Sequence, residues 1–202
     1  NDPHNPTGAV FDSEVREEVV RLAQRHDAVI VTDEVYEHLV FGAPHVPIAT
    51  LPGARERTLS ISSGGKTFST TGWKVGWISG PPALVDAVLA VKQFLTYVNG
   101  APFQPAIATG LRLPDEYFGE IATTLRGKRD LLGQGLRDAG FEVSVPAGSY
   151  FTVADAAPVG ASAADEFCRT LPDRAGVVAI PLTAFVTSGR REEYATLVRF
   201  AA

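Results

Sequence analysis

The chain has 202 residues, 45% hydrophobic and 20% charged, the balance of a globular protein able to bury one large core or two small ones. Eighteen Lys and Arg against 23 Asp and Glu leave a net charge of −5, with no basic stripe to neutralise a run of phosphates, which argues against nucleic acid as a partner. The longest apolar stretches, such as Ala83 to Val91, are broken by a charge (Asp86) and fall short of the roughly 20 residues that span a bilayer, so no membrane segment is expected. A single cysteine, Cys168, rules out an internal disulfide, and the first residues lack a signal-peptide pattern, so a cytoplasmic setting is expected. The chain contains no methionine and opens on Asn1-Asp2-Pro3-His4-Asn5-Pro6, which suggests removal of a leading segment or a piece of a longer chain.

Val15, Val19, Leu22 and Ala23 recur at the spacing of one helix face after Asp12-Ser13, which predicts a capped helix over 13–26. The β-branched run Ala28 to Thr32 reads as a strand buried on both faces, ending in the polar pair Asp33-Glu34. Leu59 to Ile61 and Val75 to Ile78 read as two more strands, and Ala83 to Leu95 as a nearly all-apolar, buried helix. The first hundred residues therefore suggest a doubly wound α/β layer.

After a Gly/Pro-rich passage, Asn99 to Pro105, a long helical pattern runs from about 115 to 139 and stops at Gly140. Short strands at Phe141–Val145, Tyr150–Ala154, Val177–Ile180 and Ala195–Phe200, with a helix near 162–171, suggest a smaller α+β domain. The boundary is expected inside the long helix, dividing the chain into 1–125 and 126–202.

Ligands of open parallel sheets collect beyond the carboxyl ends of the strands. Three polar groups lie there in this sequence: Asp33 to Tyr36, Ser63-Gly64-Gly65-Lys66-Thr67, and Asn5-Pro6-Thr7-Gly8 before the first helix. Lys66 stands out, since the chain holds four lysines against fourteen arginines and this one sits among Gly and Ser. A lysine of ordinary pKa about 10.4 can attack a carbonyl or form a Schiff base once its neutral form is favoured. A surface lysine on a loop is the plain alternative.

Three motifs compete for the Lys66 loop. A Walker loop needs Gly at position 60, where Ser60 stands. Ser63-Gly64-Gly65-Lys66 fits the Ser-x-x-Lys of penicillin-recognising hydrolases, but neither Ser-Asp-Asn nor Lys-Thr-Gly completes that site. The third is a lysine bound to pyridoxal phosphate, which needs a carboxylate for the ring nitrogen, a donor to the ring oxygen, cations and hydroxyls for the phosphate, and often an Arg for the substrate carboxylate. His4, His26, His38 and His45 lack zinc-site spacing and read as surface or turn residues, and Cys168 beside Phe167 reads as core; no metal site is expected.

Asn5-Pro6-Thr7-Gly8, Asp33-Glu34-Val35-Tyr36, Ser63 to Ser69, Gly72 to Trp77 and Val198-Arg199-Phe200 resemble, in order and spacing, successive motifs of fold-type I class I/II aminotransferases. The likeness is closest to the kynurenine/glutamine transaminase and cysteine-S-conjugate β-lyase branch. It implies part of a pyridoxal-phosphate-dependent transferase large domain, a mostly parallel sheet with helices on both faces, followed by a small α+β domain. Carried over position by position, it makes Lys66 the Schiff-base lysine and proton carrier and Asp33 the partner of the pyridinium nitrogen. Tyr36 and Asn5 would bond the ring oxygen, and Ser63 and Lys74 the phosphate. Arg199 would clamp the substrate α-carboxylate, with Asn5 also on the substrate side, and Gly148-Ser149-Tyr150-Phe151 resembles the strand lining that side.

The resemblance further implies a homodimer and an additional N-terminal half that completes the cofactor cradle. The expected activity is transfer of an amino group from an α-amino acid to a 2-oxo acid. β-Elimination from cysteine conjugates and succinyldiaminopimelate-type transamination stay open. So does a non-catalytic fragment that lacks part of the cofactor site.

Overall fold

The computed structural model describes residues 1–42 and 44–202. Two compact units divide the chain: one holds Asn1–Pro3 and Val10–Ala122, the other His4–Ala9 and Thr123–Ala202. Residues 4–9, counted with the first domain on sequence, thus fold with the second unit.

In the first unit, α1 (Ser13–Arg25) starts where the Asp12 carboxylate accepts from Val15 N–H, satisfying one of the amides that a helix start leaves unpaired. Its buried stripe runs through Val20 and Ala23, whereas Val15 and Leu22, read as part of the same face, remain 41% and 40% exposed. The stripe covers β1 (Ile30–Asp33), packing with Ile30, Ile48 and Ala54. β1 differs from the expectation of a strand buried on both faces. Ile30 and Thr32 are buried, but Val29 and Val31 are 51% and 60% exposed, because α1 covers only one face. The strand alternates with period two, and the next buried residue on that face is Glu34.

β2 (Thr58–Ser63) pairs parallel to β1, and β3 (Gly76–Ser79) pairs antiparallel to β2, so the described sheet is mixed and ordered β1-β2-β3. Between β2 and β3 lie the short helix α2 (Gly64–Thr67) and a 3₁₀ turn at Thr71–Trp73. The apolar helix predicted as buried forms as α3 (Pro82–Leu95), yet Leu89, Phe94 and Leu95 are 56%, 84% and 76% exposed. Its composition marks a face for burial that no part of the described chain covers. α4 (Gln104–Gly110) places Ile107 against Gly64, where a Cβ would come within 2.5 Å of Ile107 Cδ1 and force that side chain to shift.

α5 (Asp115–Asp138) runs from the first unit into the second and ends as the glycine stop predicts. Gly140 adopts φ +93°, its N–H donates to Arg137 C=O, and Phe141 N–H donates to Leu136 C=O, the paired bonds of a Schellman cap. The second unit's sheet has the order β4 (Glu142–Val143), β5 (Phe151–Asp155), β7 (Leu197–Ala201), β6 (Ile180–Pro181), antiparallel throughout. Helix α6 (Ala164–Ala175) packs Phe167, Cys168 and Leu171 with Leu136, Ala154, Val198 and Phe200. Phe141 meets both Phe167 and Phe200 edge to face, with centroids 5.9 and 5.8 Å away. Burial pushes the Cys168 thiol up to about 11, as for an inert core residue. No helix of the described residues is long and apolar enough to cross a membrane.

Phe167 is 8% exposed at the centre of this cluster. Phe167→Ala should therefore destabilise the chain by about 3–5 kcal/mol, read as a shift of the urea unfolding midpoint at unchanged m.

Candidate active site

Strand register gathers the polar residues of the first unit at one edge. β1 and β2 run in the same direction with Asp33 opposite Ile61, so Asp33 and Ser63 both close their strands at the same end. β3 runs back with Gly76 opposite Ser63, which brings Lys74, two residues before Gly76, to that edge as well. The chain beyond β1 turns sharply there, Glu37 N–H donating to Glu34 C=O and Leu39 N–H to Tyr36 C=O.

Lys66 lies half-buried in α2, three residues past Ser63, and its Nζ sits 5.9 Å from the centre of the Tyr36 ring. Tyr36 is 3% exposed. The two glycines before Lys66 are packed tightly: a Cβ on Gly65 would come within 3.1 Å of Thr71 Cα, and the Thr70 and Thr71 hydroxyls donate to the carbonyls of Gly64 and Gly65. The Ser-Gly-Gly-Lys run is thus a rigid turn pinned by the threonines that follow it. Lys74 is exposed in the left-handed region, φ +55°, and lines a cavity of about 360 Å³ with Lys92, Asn99 and Gln104. Ser63 is not among the residues that line that cavity, although it closes β2 at the same sheet edge.

Asp33 is exposed, and its carboxylate accepts from Val35 N–H at 3.3 Å. Its carbonyl is held more firmly, accepting from Asp2 N–H at 3.0 Å and Asn1 Nδ2 at 3.1 Å. Behind it stands a buried group that sequence reading overlooked. Glu34 takes Thr32 Oγ1–H at 2.5 Å and Ser60 Oγ–H at 3.1 Å on one oxygen, and meets His45 Nε2 at 3.0 Å on the other. His45, read as a surface or turn residue, is in fact buried, its side chain 5% exposed. Burial pushes the Glu34 carboxyl up, but the hydrogen bonds from His45, Thr32 and Ser60 outweigh it and hold the group below its ordinary value. The other histidines lie elsewhere: His26 caps the end of α1, His38 stacks on Phe118, and His4 Nδ1 meets Thr7 Oγ1 at 2.8 Å.

In the second unit, Asn5 and Arg199, 194 residues apart, meet through a 2.6 Å hydrogen bond from Arg199 Nη1 to Asn5 Oδ1. The Arg199 guanidinium lies 4.0 Å from the centre of the Phe151 ring and 4.9 Å from that of Phe185. Phe151 belongs to the segment flagged on sequence, whereas Phe185 carried no signal there. Gly8 fixes the turn that presents Asn5. At φ +68° its carbonyl accepts from Ala147 and Gly148 N–H, and a Cβ would come within 2.3 Å of Pro146 Cβ and 2.7 Å of Gly148 O. Asn5-Pro6-Thr7-Gly8 is therefore a folded clip on the second unit's sheet, and its last residue must be glycine.

The strand edge of the first unit gathers a half-buried lysine, a phenol, a hydroxyl and a carboxylate, the kinds of group that carbonyl–amine chemistry uses. The chain belongs to the class I and II aminotransferase family, whose sequence profile it matches over residues 1–198. It is 48% identical to the probable N-succinyldiaminopimelate aminotransferase DapC of Mycobacterium tuberculosis over 92% of its own length and 47% of that protein's. Identity to kynurenine–oxoglutarate transaminase 3 of Mus musculus is 38%, covering 99% of this chain and 48% of the relative. The solved structure of N-succinyldiaminopimelate aminotransferase from Mycobacterium tuberculosis superposes with a TM-score of 0.94 at 46% identity, over 98% of this chain and 52% of that one. The chain spans about half the length of the relatives it matches.

Because Glu34 is held ionised below its ordinary value of 4.5, its contribution to stability is present above that pH and is lost as pH falls through the lowered value. Glu34→Gln should cost about 1–3 kcal/mol at neutral pH and flatten the loss of stability below pH 4.5, as urea titrations across the acid range would show.

Proposed function

We propose that the protein binds pyridoxal phosphate and transfers an amino group from an α-amino acid to a 2-oxo acid. The single observation that carries this reading is the sheet edge that gathers Lys66, Tyr36, Ser63, Asp33 and Lys74 in a member of the aminotransferase family.

The donor set fits the cofactor's functional groups. Lys66 Nζ offers an amine to its carbonyl carbon, and Asp33 a carboxylate to its protonated ring nitrogen. Tyr36 offers a hydrogen bond to its ring oxygen, a role the family resemblance also gives Asn5, and Ser63 offers a hydroxyl and Lys74 a point charge to its phosphate. When bound, the cofactor supplies a conjugated ring that takes up the electron pair left at the substrate Cα. Asp33 keeps that ring electron-poor by holding a proton at the nitrogen. Lys66 would take the proton from the substrate Cα and hand it to the carbon of the cofactor's former carbonyl group, the general-base and general-acid role of a neutral amine. Arg199, a planar two-pronged donor, clamps the substrate α-carboxylate. The family resemblance further supports a homodimer.

The 48% identity to the succinyldiaminopimelate enzyme, against 38% to the kynurenine enzyme, favours a long, acylated diamino acid as amino donor. Initial rates at native length with N-succinyl-diaminopimelate and with kynurenine as competing donors decide between them, and a kcat/KM ratio favouring kynurenine would overturn this choice.

Lys66→Ala should remove the long-wavelength absorbance of bound pyridoxal phosphate and lower turnover by about 10,000-fold or more. Normal turnover in that variant would overturn the assignment. Arg199→Lys should lower kcat/KM for α-amino acids about 10- to 100-fold, with a much smaller effect on amines that lack the carboxylate.

A further inference from the structure

Three ionisable side chains at the end of β1 lie outside the set assigned above. Asp2 and His45 have side chains 5% exposed and that of Glu34 is 3% exposed. His45 stands between the two carboxylates, Nε2 3.0 Å from Glu34 Oε2 and Nδ1 3.8 Å from Asp2 Oδ2. Among the described residues Asp2 Oδ2 and His45 Nδ1 have no hydrogen-bond partner, and they face each other across a gap too long for a hydrogen bond. Buried ionic groups of this kind seldom add stability over apolar side chains of the same size, so what they contribute is sought in what they fix.

What they fix is the backbone around Asp33. Asp2 Oδ1 accepts Phe11 N–H at 2.9 Å, and the Asp2 N–H so oriented donates to Asp33 C=O at 3.0 Å. On the other side, Glu34 N–H donates to Ile61 C=O at 2.8 Å while the Glu34 carboxylate is held by Thr32, Ser60 and His45. Among the described residues the Asp33 carboxylate itself accepts one long bond from its own turn, Val35 N–H at 3.3 Å. Its direction is therefore set by its backbone, and its backbone by the groups that His45 joins.

We propose that His45, bridging the buried carboxylates of Asp2 and Glu34, is a positioning residue that holds Asp33 in register with the cofactor's ring nitrogen. This rests on the role given to Asp33 above. His45 touches neither substrate nor cofactor; it acts by keeping the two chain segments that grip Asp33 at a fixed separation.

The test uses the protein at its native length, loaded with pyridoxal phosphate. Two quantities are read: the cofactor's dissociation constant, and the pH midpoint at which its long-wavelength band gives way to the short-wavelength one. Weaker pairing at the ring nitrogen removes a positive charge from the ring and raises that midpoint, so Asp33→Asn sets the reference shift. His45→Asn and Asp2→Asn should each weaken cofactor binding about tenfold, as loss of a buried partner behind a ligand does, and move the midpoint in the same direction as Asp33→Asn. Combined with Asp33→Asn, neither should move it further. Asp2→Asn, equal in size to the parent residue, carries the test should His45→Asn fail to fold. A lower melting temperature with both readings unchanged, or shifts that add to that of Asp33→Asn, would overturn the proposal. An unmoved midpoint in Asp33→Asn alone would instead overturn the assignment of Asp33, and the proposal with it.

Discussion

The pairing of β2 with a parallel strand on one side and an antiparallel strand on the other is the constraint on which the first unit's site depends. A parallel neighbour ends where β2 ends, and an antiparallel neighbour begins there, so two strand exits and one strand entry coincide at a single edge. In an all-parallel arrangement Lys74, which precedes its strand, would lie at the opposite end from Asp33 and Ser63. The antiparallel β3 is also what permits the short return from Ser63 to Gly76 through α2, without the crossover helix that a parallel partner needs. Lys66 sits in that return, and the tightly packed Gly64 and Gly65 are the consequence of making it so short.

The second unit solves a different problem, joining the first residues of the chain to the last strand. A contact spanning 194 residues carries a large closure entropy, although that cost grows only logarithmically with length. The Asn5 to Arg199 hydrogen bond does not meet it alone. Gly8 C=O takes two backbone amides from the Ala147–Gly148 turn, and the close approach of Gly8 to Pro146 leaves no room for a side chain. The clip is therefore fixed by backbone geometry, and the asparagine can be committed to orienting the arginine.

Much of this was legible in the sequence, and the reasons are physical. α1, β2, α5 and α6 are specified by local signals: a capping Asp12, Leu59 and Ile61 alternating with serine, Gly140 in the left-handed region, and an amphipathic stripe. What failed were judgements about covering. Val29, Val31 and the apolar side of α3 have the composition of buried surface, but burial depends on what packs against a face, and a residue pattern records only the face. Glu34 and His45 were missed for the opposite reason, since charged residues next to a strand end read as solvated. The period-two alternation of Ile30, Thr32 and Glu34 on the buried face was the available signal for Glu34. His45 and Phe185 carried none, because their partners lie on other elements, placed there by the fold and not by a local pattern.

The distribution of cations follows from the same chemistry. An arginine stays charged at any accessible pH, so it cannot serve as an amine that attacks a carbonyl; the role proposed for Lys66 needs a side chain able to lose its proton. Arg199 faces the opposite requirement. Its guanidinium lies against the rings of Phe151 and Phe185 while its edge donates to Asn5, and only a flat, delocalised cation can stack and donate in plane at once. A lysine there would keep the charge and lose both the stacking and the fork. With fourteen arginines and only four lysines in the chain, lysine at position 66 runs against the prevailing choice of cation, which the proposed role, with its demand for a removable proton, would explain.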